Sequence, residues 1–247
     1  MSNKYFPLRS KMKSAKARLY CFHHAGGSVC TFKNWIDHFD DVEVMPLELP
    51  DRSLDQEKMT FEDVISGALT AISTVNDERP FFLYGHSLGA LFAFETAKRL
   101  EKDYGLKAGK VFVAGRHAPD RECASTFKCS MGIEGLYKEL EKDGGIDKQL
   151  LKDEVFQKVF VPMIFNDYRL NEQYKYSGTV LDMPIVALNG SDDPDATFDV
   201  VEKWRNLTVS DFKHYIFKGD HFFPYKDSEN AVLKVIGEEI SEQLGNK

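Results

Sequence analysis

The stretch Phe81-Phe82-Leu83-Tyr84-Gly85-His86-Ser87-Leu88-Gly89-Ala90 decides the fold of this chain. Its first four residues read as a short buried strand. After the serine, Leu88, Leu91, Phe92, Phe94, Ala97 and Leu100 recur at helical spacing. The chain therefore passes from strand to helix through a single tight turn. Gly85 and Gly89 stand two positions to either side of Ser87, where a side chain would hold strand and helix apart. A serine on so sharp a turn projects its hydroxyl above the sheet, which makes Ser87 the candidate nucleophile. A serine in an ordinary surface loop would have neither flank.

A serine hydroxyl is a poor nucleophile until a histidine takes its proton and an acid holds that histidine in one tautomer. On a strand-turn-helix of this kind the acid and then the histidine follow later in the chain. Pro184 to Leu188 reads as a strand, Asn189-Gly190 as its turn, and Asp192 and Asp193 follow, either able to serve as the acid. Tyr215 to Phe217 reads as one more strand, followed by Gly219, Asp220 and His221, the candidate base. The developing oxyanion needs two backbone N–H donors, one from the residue after the nucleophile, here Leu88, and one from the loop after an early strand. Arg18 to Phe22 supplies that strand and His23-His24-Ala25-Gly26-Gly27 the loop, with Ala25 as the expected donor and Gly26 its neighbour. A glycine pair after a strand could instead cradle a phosphate. This one lacks the G-x-G-x-x-G spacing and a following Lys-Ser or Lys-Thr.

Strand patterns near 18–22, 42–49, 81–85, 110–115, 184–189 and 212–218 alternate with helical patterns near 61–75, 87–102, 196–206 and 228–244. That alternation predicts an α/β class protein with a mostly parallel central sheet and helices on both faces, and the serine turn makes it the α/β-hydrolase fold. The interval from about 120 to 180 is too long for a plain loop and carries the helical patterns IEGLYKELEKDGG and DEVFQKVFVPMIFNDYRL. It is expected to be a helical lid insertion. Its apolar residues, among them Phe127, Met131, Leu136, Phe160, Met163, Ile164 and Phe165, suit the insertion's own core more than substrate contact, though either use fits the spacing. With 247 residues and 43% apolar content the chain is expected to form one domain over 1–247.

A net charge of −7 argues against nucleic acid as a partner. The basic stretch Lys4, Arg9, Lys11, Lys13, Lys16 and Arg18 departs from that balance and reads as a solvated leader rather than a docking site. It has no apolar centre of the secretory type, and no run approaches a membrane-spanning length. A cytoplasmic protein without a membrane partner is expected. Cys21, Cys30, Cys123 and Cys129 form neither a CxxC pair nor a zinc spacing and read as free thiols, Cys21 as a buried one. His23 and His24, adjacent on a strand end, point to opposite faces with no third ligand evident, so one is expected to line a pocket. His86 is expected to pack or bond locally. No metal or redox cofactor is implied.

Beyond these patterns, CFHHAGGS, GHSLGALFAFE, VFVAGRHAPD, PMIFNDYRLNEQY, NGSDDP and GDHFF run almost end to end. On them the chain resembles the type II thioesterases that accompany nonribosomal peptide and polyketide synthases, relatives of the medium-chain acyl thioesterases of fatty acid synthesis. AGRHAP and NDYRLNEQY are more diagnostic than the serine turn, which hydrolases of other substrates share. One departure is Pro50-Asp51-Arg52-Ser53, where the family carries a Pro-Gly-Arg or Pro-Gly-His turn. The family's Gly-x-x-Asp spacing selects Asp193 over Asp192. The resemblance further implies a thioester substrate on the phosphopantetheine arm of an acyl or peptidyl carrier protein; a monomer is expected. Candidates for meeting an acidic carrier are Arg52, Arg116, Arg121 and Lys128. A carboxylesterase or acyl-CoA thioesterase without a carrier, and a non-catalytic binding module, are the alternatives. The two diagnostic segments weigh against the first and the serine, acid and histidine against the second.

Overall fold

Six strands carry the molecule: β1 (Ala17–Phe22), β2 (Val42–Pro46), β3 (Phe81–His86), β4 (Val111–Ala114), β5 (Ile185–Gly190) and β6 (Phe212–Phe217). In the computed structural model, which describes residues 5–10, 12, 14–49, 59–121, 127–143, 146–147 and 149–245, they pair in the order β2-β1-β3-β4-β5-β6. Every pairing among them is parallel. Lys4, Lys11, Lys13, the segment Pro50 to Ser53 and Cys123 lie outside the described residues.

The apolar runs of the strands follow from a sheet covered on both faces. Alternate residues point opposite ways. Phe81 and Leu83 join Val111, Val113, Ile185 and Ala187 in a core shared with α1 (Phe61–Val75) and α2 (Leu88–Tyr104). Phe82 and Tyr84 join Phe112, Ala114, Val186 and Leu188 in a second core, closed by α6 (Glu229–Gly245). Between β4 and β5 the chain forms α3 (Gly132–Asp143) and α4 (Glu154–Gln173), as the 120–180 interval suggested. With Phe127 before them and Leu151 between them, these helices build a smaller core of their own through Leu136, Leu140, Phe156, Val161 and Ile164. The far end of α4 returns to the main core through Leu170, and Tyr174 beyond it donates to Glu95 Oε1 at 2.9 Å.

Three expectations need correction. The helix expected over 196–206 is a single α turn, α5 (Phe198–Val201), continued by 3₁₀ turns over Glu202–Leu207. Val201, Trp204 and Leu207 are the buried positions, and a spacing of three suits the three-residue 3₁₀ turn. The same spacing buries Val29, Phe32 and Trp35 in 3₁₀ turns over Val29–Trp35, a stretch assigned no element from sequence. Nor is the described part of the basic leader simply solvated. Phe6 is buried against Tyr20, and Arg18 lies inside β1 with ion pairs to Glu43 and Asp77, each at 3.0 Å. Burial of the apolar Phe6 holds the segment down, and the arginine is tolerated because its charge is matched.

The chain order leaves β1 and moves first to β2 on one side, then to β3 on the other. The crevice beyond the carboxyl ends of β1 and β3 is therefore a topological switch point, where open parallel sheets bind ligands. The Ala25 loop follows β1 and Ser87 follows β3.

Candidate active site

Ser87 has φ 55° and ψ −117°, and it is the one described residue other than glycine with positive φ. Such a backbone costs roughly 1–3 kcal/mol and persists only where the surroundings over-determine it. They do so here. A Cβ on Gly85 would overlap the carbonyl of Gly89, and one on Gly89 the carbonyls of Phe22 and His23. Strand β3, helix α2 and the end of β1 thus touch backbone to backbone, as the two glycines predicted. The Ser87 amide donates to the Ala114 carbonyl at 2.8 Å, fixing the turn to β4.

Asp193 occupies the turn after β5 and is 3% exposed, whereas its neighbour Asp192 faces solvent. Asp193 Oδ1 accepts the amides of Asp195 and Ala196, both at 3.0 Å, and Oδ2 lies 2.7 Å from His221 Nδ1. Burial alone would raise this carboxyl. The hydrogen bonds from His221 and from the two amides outweigh it and hold the group below the usual aspartate value. An ionised carboxylate only accepts, so His221 donates from Nδ1 and keeps Nε2 as the acceptor. His86 supports the same residue from behind: its Nε2 donates to the His221 carbonyl at 2.8 Å. Complete burial, with the His221 and His24 rings nearby, pushes His86 far below the ordinary histidine value and keeps it neutral. His86 bonds locally, as expected, but to the candidate base itself.

Leu88 opens α2, so its amide has no partner within the helix. Across the crevice the Gly26 amide donates to Asp167 Oδ2 of α4 at 2.7 Å. The Gly27 amide turns back to the His24 carbonyl at 3.0 Å, and the Ala25 amide between them makes no hydrogen bond among the described residues. Ala25, Ser87, Leu88 and His221 line one cavity together, so the five residues singled out from sequence converge, with Asp193 behind His221.

Two cavities meet at Ala25, Ser87, Tyr168 and His221. One is walled by Leu140, Ile146, Phe156, Phe160, Ile164 and Phe222 and has a volume of about 170 Å³. The other carries the polar side chains of Arg116, His117, Lys128, Glu139, Asn171 and Glu172 in its wall beside Leu88 and Phe127, and is here called the polar arm. His117 is pushed down to about 3 by its burial and by the positive charges of Arg116 and Lys128. Of the insertion residues weighed between core and contact, Leu136 is purely core, Met131 is exposed, and Phe127, Phe160 and Ile164 line the cavities. His24 is the member of its pair that lines a cavity, edge-on to His86 and Phe222. Cys21 is buried, Cys30 exposed and Cys129 intermediate, all as thiols. Among the described residues no helix is long and apolar enough to cross a membrane.

Sequence reasoning missed two contacts, His86 to His221 and Asp167 to Gly26. The segments GHSLG and NDYRL held both residues in view. Neither spacing says which distant backbone group a side chain reaches.

A serine on a strained strand-helix turn, a histidine on a buried carboxylate and free amides beside them, all at the carboxyl ends of a parallel sheet, define a hydrolase of the α/β-hydrolase fold. The thioesterase domain model matches residues 17–240, and the chain belongs to that family of thioester hydrolases. It is 30% identical to the gramicidin S biosynthesis protein GrsT of Aneurinibacillus migulanus, over 93% of this chain and 91% of the relative. To the medium-chain S-acyl fatty acid synthase thioesterase of Rattus norvegicus it is 28% identical, over 89% and 86%. Among solved structures, RedJ, a thioesterase from the prodiginine biosynthetic pathway of Streptomyces coelicolor, superposes with a TM-score of 0.80 at 30% identity, covering 92% of this chain and 86% of that one.

Proposed function

We propose that this chain removes acyl groups from the phosphopantetheine arms of carrier proteins in nonribosomal peptide or polyketide synthesis, with Ser87, His221 and Asp193 as its catalytic residues. His221 Nε2 takes the Ser87 proton as Oγ attacks the thioester carbonyl. The amides of Leu88 and Ala25 hold the resulting oxyanion. The C–S bond then breaks, His221 returns the proton to the departing sulfur, and an acyl-serine remains. Water deprotonated by the same histidine attacks that ester, and the acid leaves as Ser87 regains its proton. Asp193 keeps the imidazole in the required tautomer and stabilises it when charged. Arg121, exposed and paired with Asp120, and the Arg116 and Lys128 of the polar cavity are the candidate contacts for an acidic carrier; Arg52 lies outside the described residues.

The observation that carries this reading is the forked cavity with Ser87 and His221 at its junction. A thioester substrate has an apolar acyl side and an amide-bearing thiol side. The apolar arm suits the former: cavities of about 150 Å³ lined by Leu, Ile and Phe hold a six-carbon ring, so about six acyl carbons fit. The polar arm suits the latter. There Asn171 presents a side-chain oxygen that is buried without a partner among the described residues. In this reading residues 1–247 work as one hydrolase domain, a monomer in the cytoplasm, with α3 and α4 as its lid.

The test compares hexanoyl groups on a carrier protein, on coenzyme A and on a p-nitrophenyl ester. Electrostatic attraction acts chiefly on encounter and is screened over about 8 Å at physiological salt. The carrier substrate should show the highest kcat/KM, with its advantage shrinking as salt rises. Equal efficiency on carrier and coenzyme A at low salt would leave a thioesterase of small molecules.

A further inference from the structure

The loop after β1 is held from the insertion. The Gly26 amide donates to Asp167 Oδ2 at 2.7 Å, a contact between residues 141 apart in sequence. Asp167 is 2% exposed. An amide bonded to a buried carboxylate is among the stronger hydrogen bonds a backbone makes. Ile164 leaves no room for a side chain at the same position: with φ at +75°, an added Cβ would lie 2.8 Å from Ile164 Cγ1. Ile164 and Asp167 are three apart on α4 and share one face of the helix. One face of α4 therefore both bonds this loop residue and admits only a glycine there.

The held residue is the immediate neighbour of Ala25. A glycine at positive φ has many other backbone states open to it, and any of them would swing the preceding peptide. By taking the Gly26 amide, Asp167 also keeps that N–H out of the cavity and leaves the Ala25 N–H as the loop's donor. We infer that Asp167 is a positioning residue for thioester hydrolysis: it anchors the oxyanion loop from the insertion and so couples the seating of α4 to the readiness of the oxyanion site. This inference rests on the proposed roles of Ser87, Leu88 and Ala25. It assigns no contact between Asp167 and substrate.

An anchor of this kind acts on the tetrahedral species more than on the bound thioester, whose carbonyl carries little charge. The experiment measures kcat and KM for hexanoyl-CoA, together with the affinity of an alkyl trifluoromethyl ketone, which forms a tetrahedral oxyanion adduct with an active serine. The proteins are the wild type, Asp167→Asn, Asp167→Ala and Ser87→Ala. Losing one oxyanion donor outright costs about 10²- to 10³-fold in kcat. Loosening one should cost about 10-fold in Asp167→Asn, which keeps an acceptor oxygen without charge, and about 100-fold in Asp167→Ala. KM should stay within about threefold, and ketone affinity should fall in step with kcat.

A merely structural aspartate would lower the melting temperature without that split. Wild-type kcat and ketone affinity in folded Asp167→Ala overturn the inference, and so does a kcat loss with ketone affinity unchanged. Should Asp167→Ala fail to fold, the same two readouts on Asp167→Asn decide. Ser87→Ala separates the layers: if it is inactive, failure at Asp167 concerns the anchor alone, and if it retains turnover, the reading of the site falls and the anchor with it.

Discussion

The carboxyl edge of the sheet and the helical insertion above it contribute differently to the same cavity. At the sheet edge, positions are set by backbone: a strained serine, glycines at backbone contact, a carboxylate held by two amides, and a histidine whose own carbonyl is tied to His86. The insertion contributes side chains, Phe156, Phe160 and Ile164 to the apolar arm and Asn171 and Glu172 to the polar one, standing on a small separate core. Reacting atoms need placement to a fraction of an ångström, which interlocked backbone provides. A wall that selects substrates needs only shape and polarity, which single side chains can change. Chemistry should therefore be lost by changes at the sheet edge and at Asp167, which anchors it, and preference altered by changes in the side chains with which the insertion walls the cavity.

The largest effects should fall at the edge. Ser87→Ala should remove about 10⁴-fold or more of the turnover and leave the protein folded. Asp193→Asn should cost about 10⁴-fold, while Asp192→Asn stays near wild type, since the tautomer of His221 depends only on the carboxylate it touches. Steady-state rates on one acyl-CoA decide the matter. A larger loss from Asp192→Asn would move the acid to the exposed residue and break the contrast.

A smaller effect concerns stability and the polar arm. His117 titrates at about 3 in the folded protein against about 6.5 unfolded. Between those values the unfolded chain binds the extra proton, so folding stability rises with pH and is lost as pH falls from about 6.5 toward 3. From pH 7 to pH 5 the loss from this group is up to about 2 kcal/mol. The depressed Asp193 acts in the same direction only lower, as pH falls through the carboxylate range. Urea unfolding of His117→Gln at both pH values should show a pH dependence flattened by about that amount. An unchanged slope would mean that the ring is charged in the fold.

The smallest effect should be one of preference. Phe160 is 46% exposed yet lines the apolar arm, so Phe160→Ala should fold normally. Losing one wall of an apolar pocket is worth about 1–3 kcal/mol for the part of a substrate that fills it. Accordingly kcat/KM for hexanoyl-CoA should drop about tenfold, with acetyl-CoA nearly unchanged. Equal losses on both would show Phe160 acting on the chemistry and erase the division between edge and insertion.

Much of the edge was legible because its signals are local. Gly85, Ser87 and Gly89 lie within five residues, and a strand-turn-helix with that spacing has few conformations. The alternation of strand and helix then implied the parallel sheet. Helix boundaries failed where apolar residues recur every third position, at Val29, Phe32 and Trp35 and again at Val201, Trp204 and Leu207. A spacing of three fits one face of an α-helix for a turn and a 3₁₀ helix throughout.

The sequence by itself determined the serine turn, the parallel sheet, the existence of the insertion and the histidine after the last strand, since each rests on spacings within about 20 residues. Resemblance pointed to Asp193; the tertiary structure decided that it, rather than Asp192, is buried against His221, because the turn after β5 sends adjacent side chains to opposite environments. Tertiary structure alone also decided that Gly26 spends its amide on Asp167, that Ala25 keeps its own, and that His86 holds the backbone of His221. Each of those contacts joins residues more than a hundred positions apart, and a local pattern carries no information about which distant atom will be there when the chain has folded.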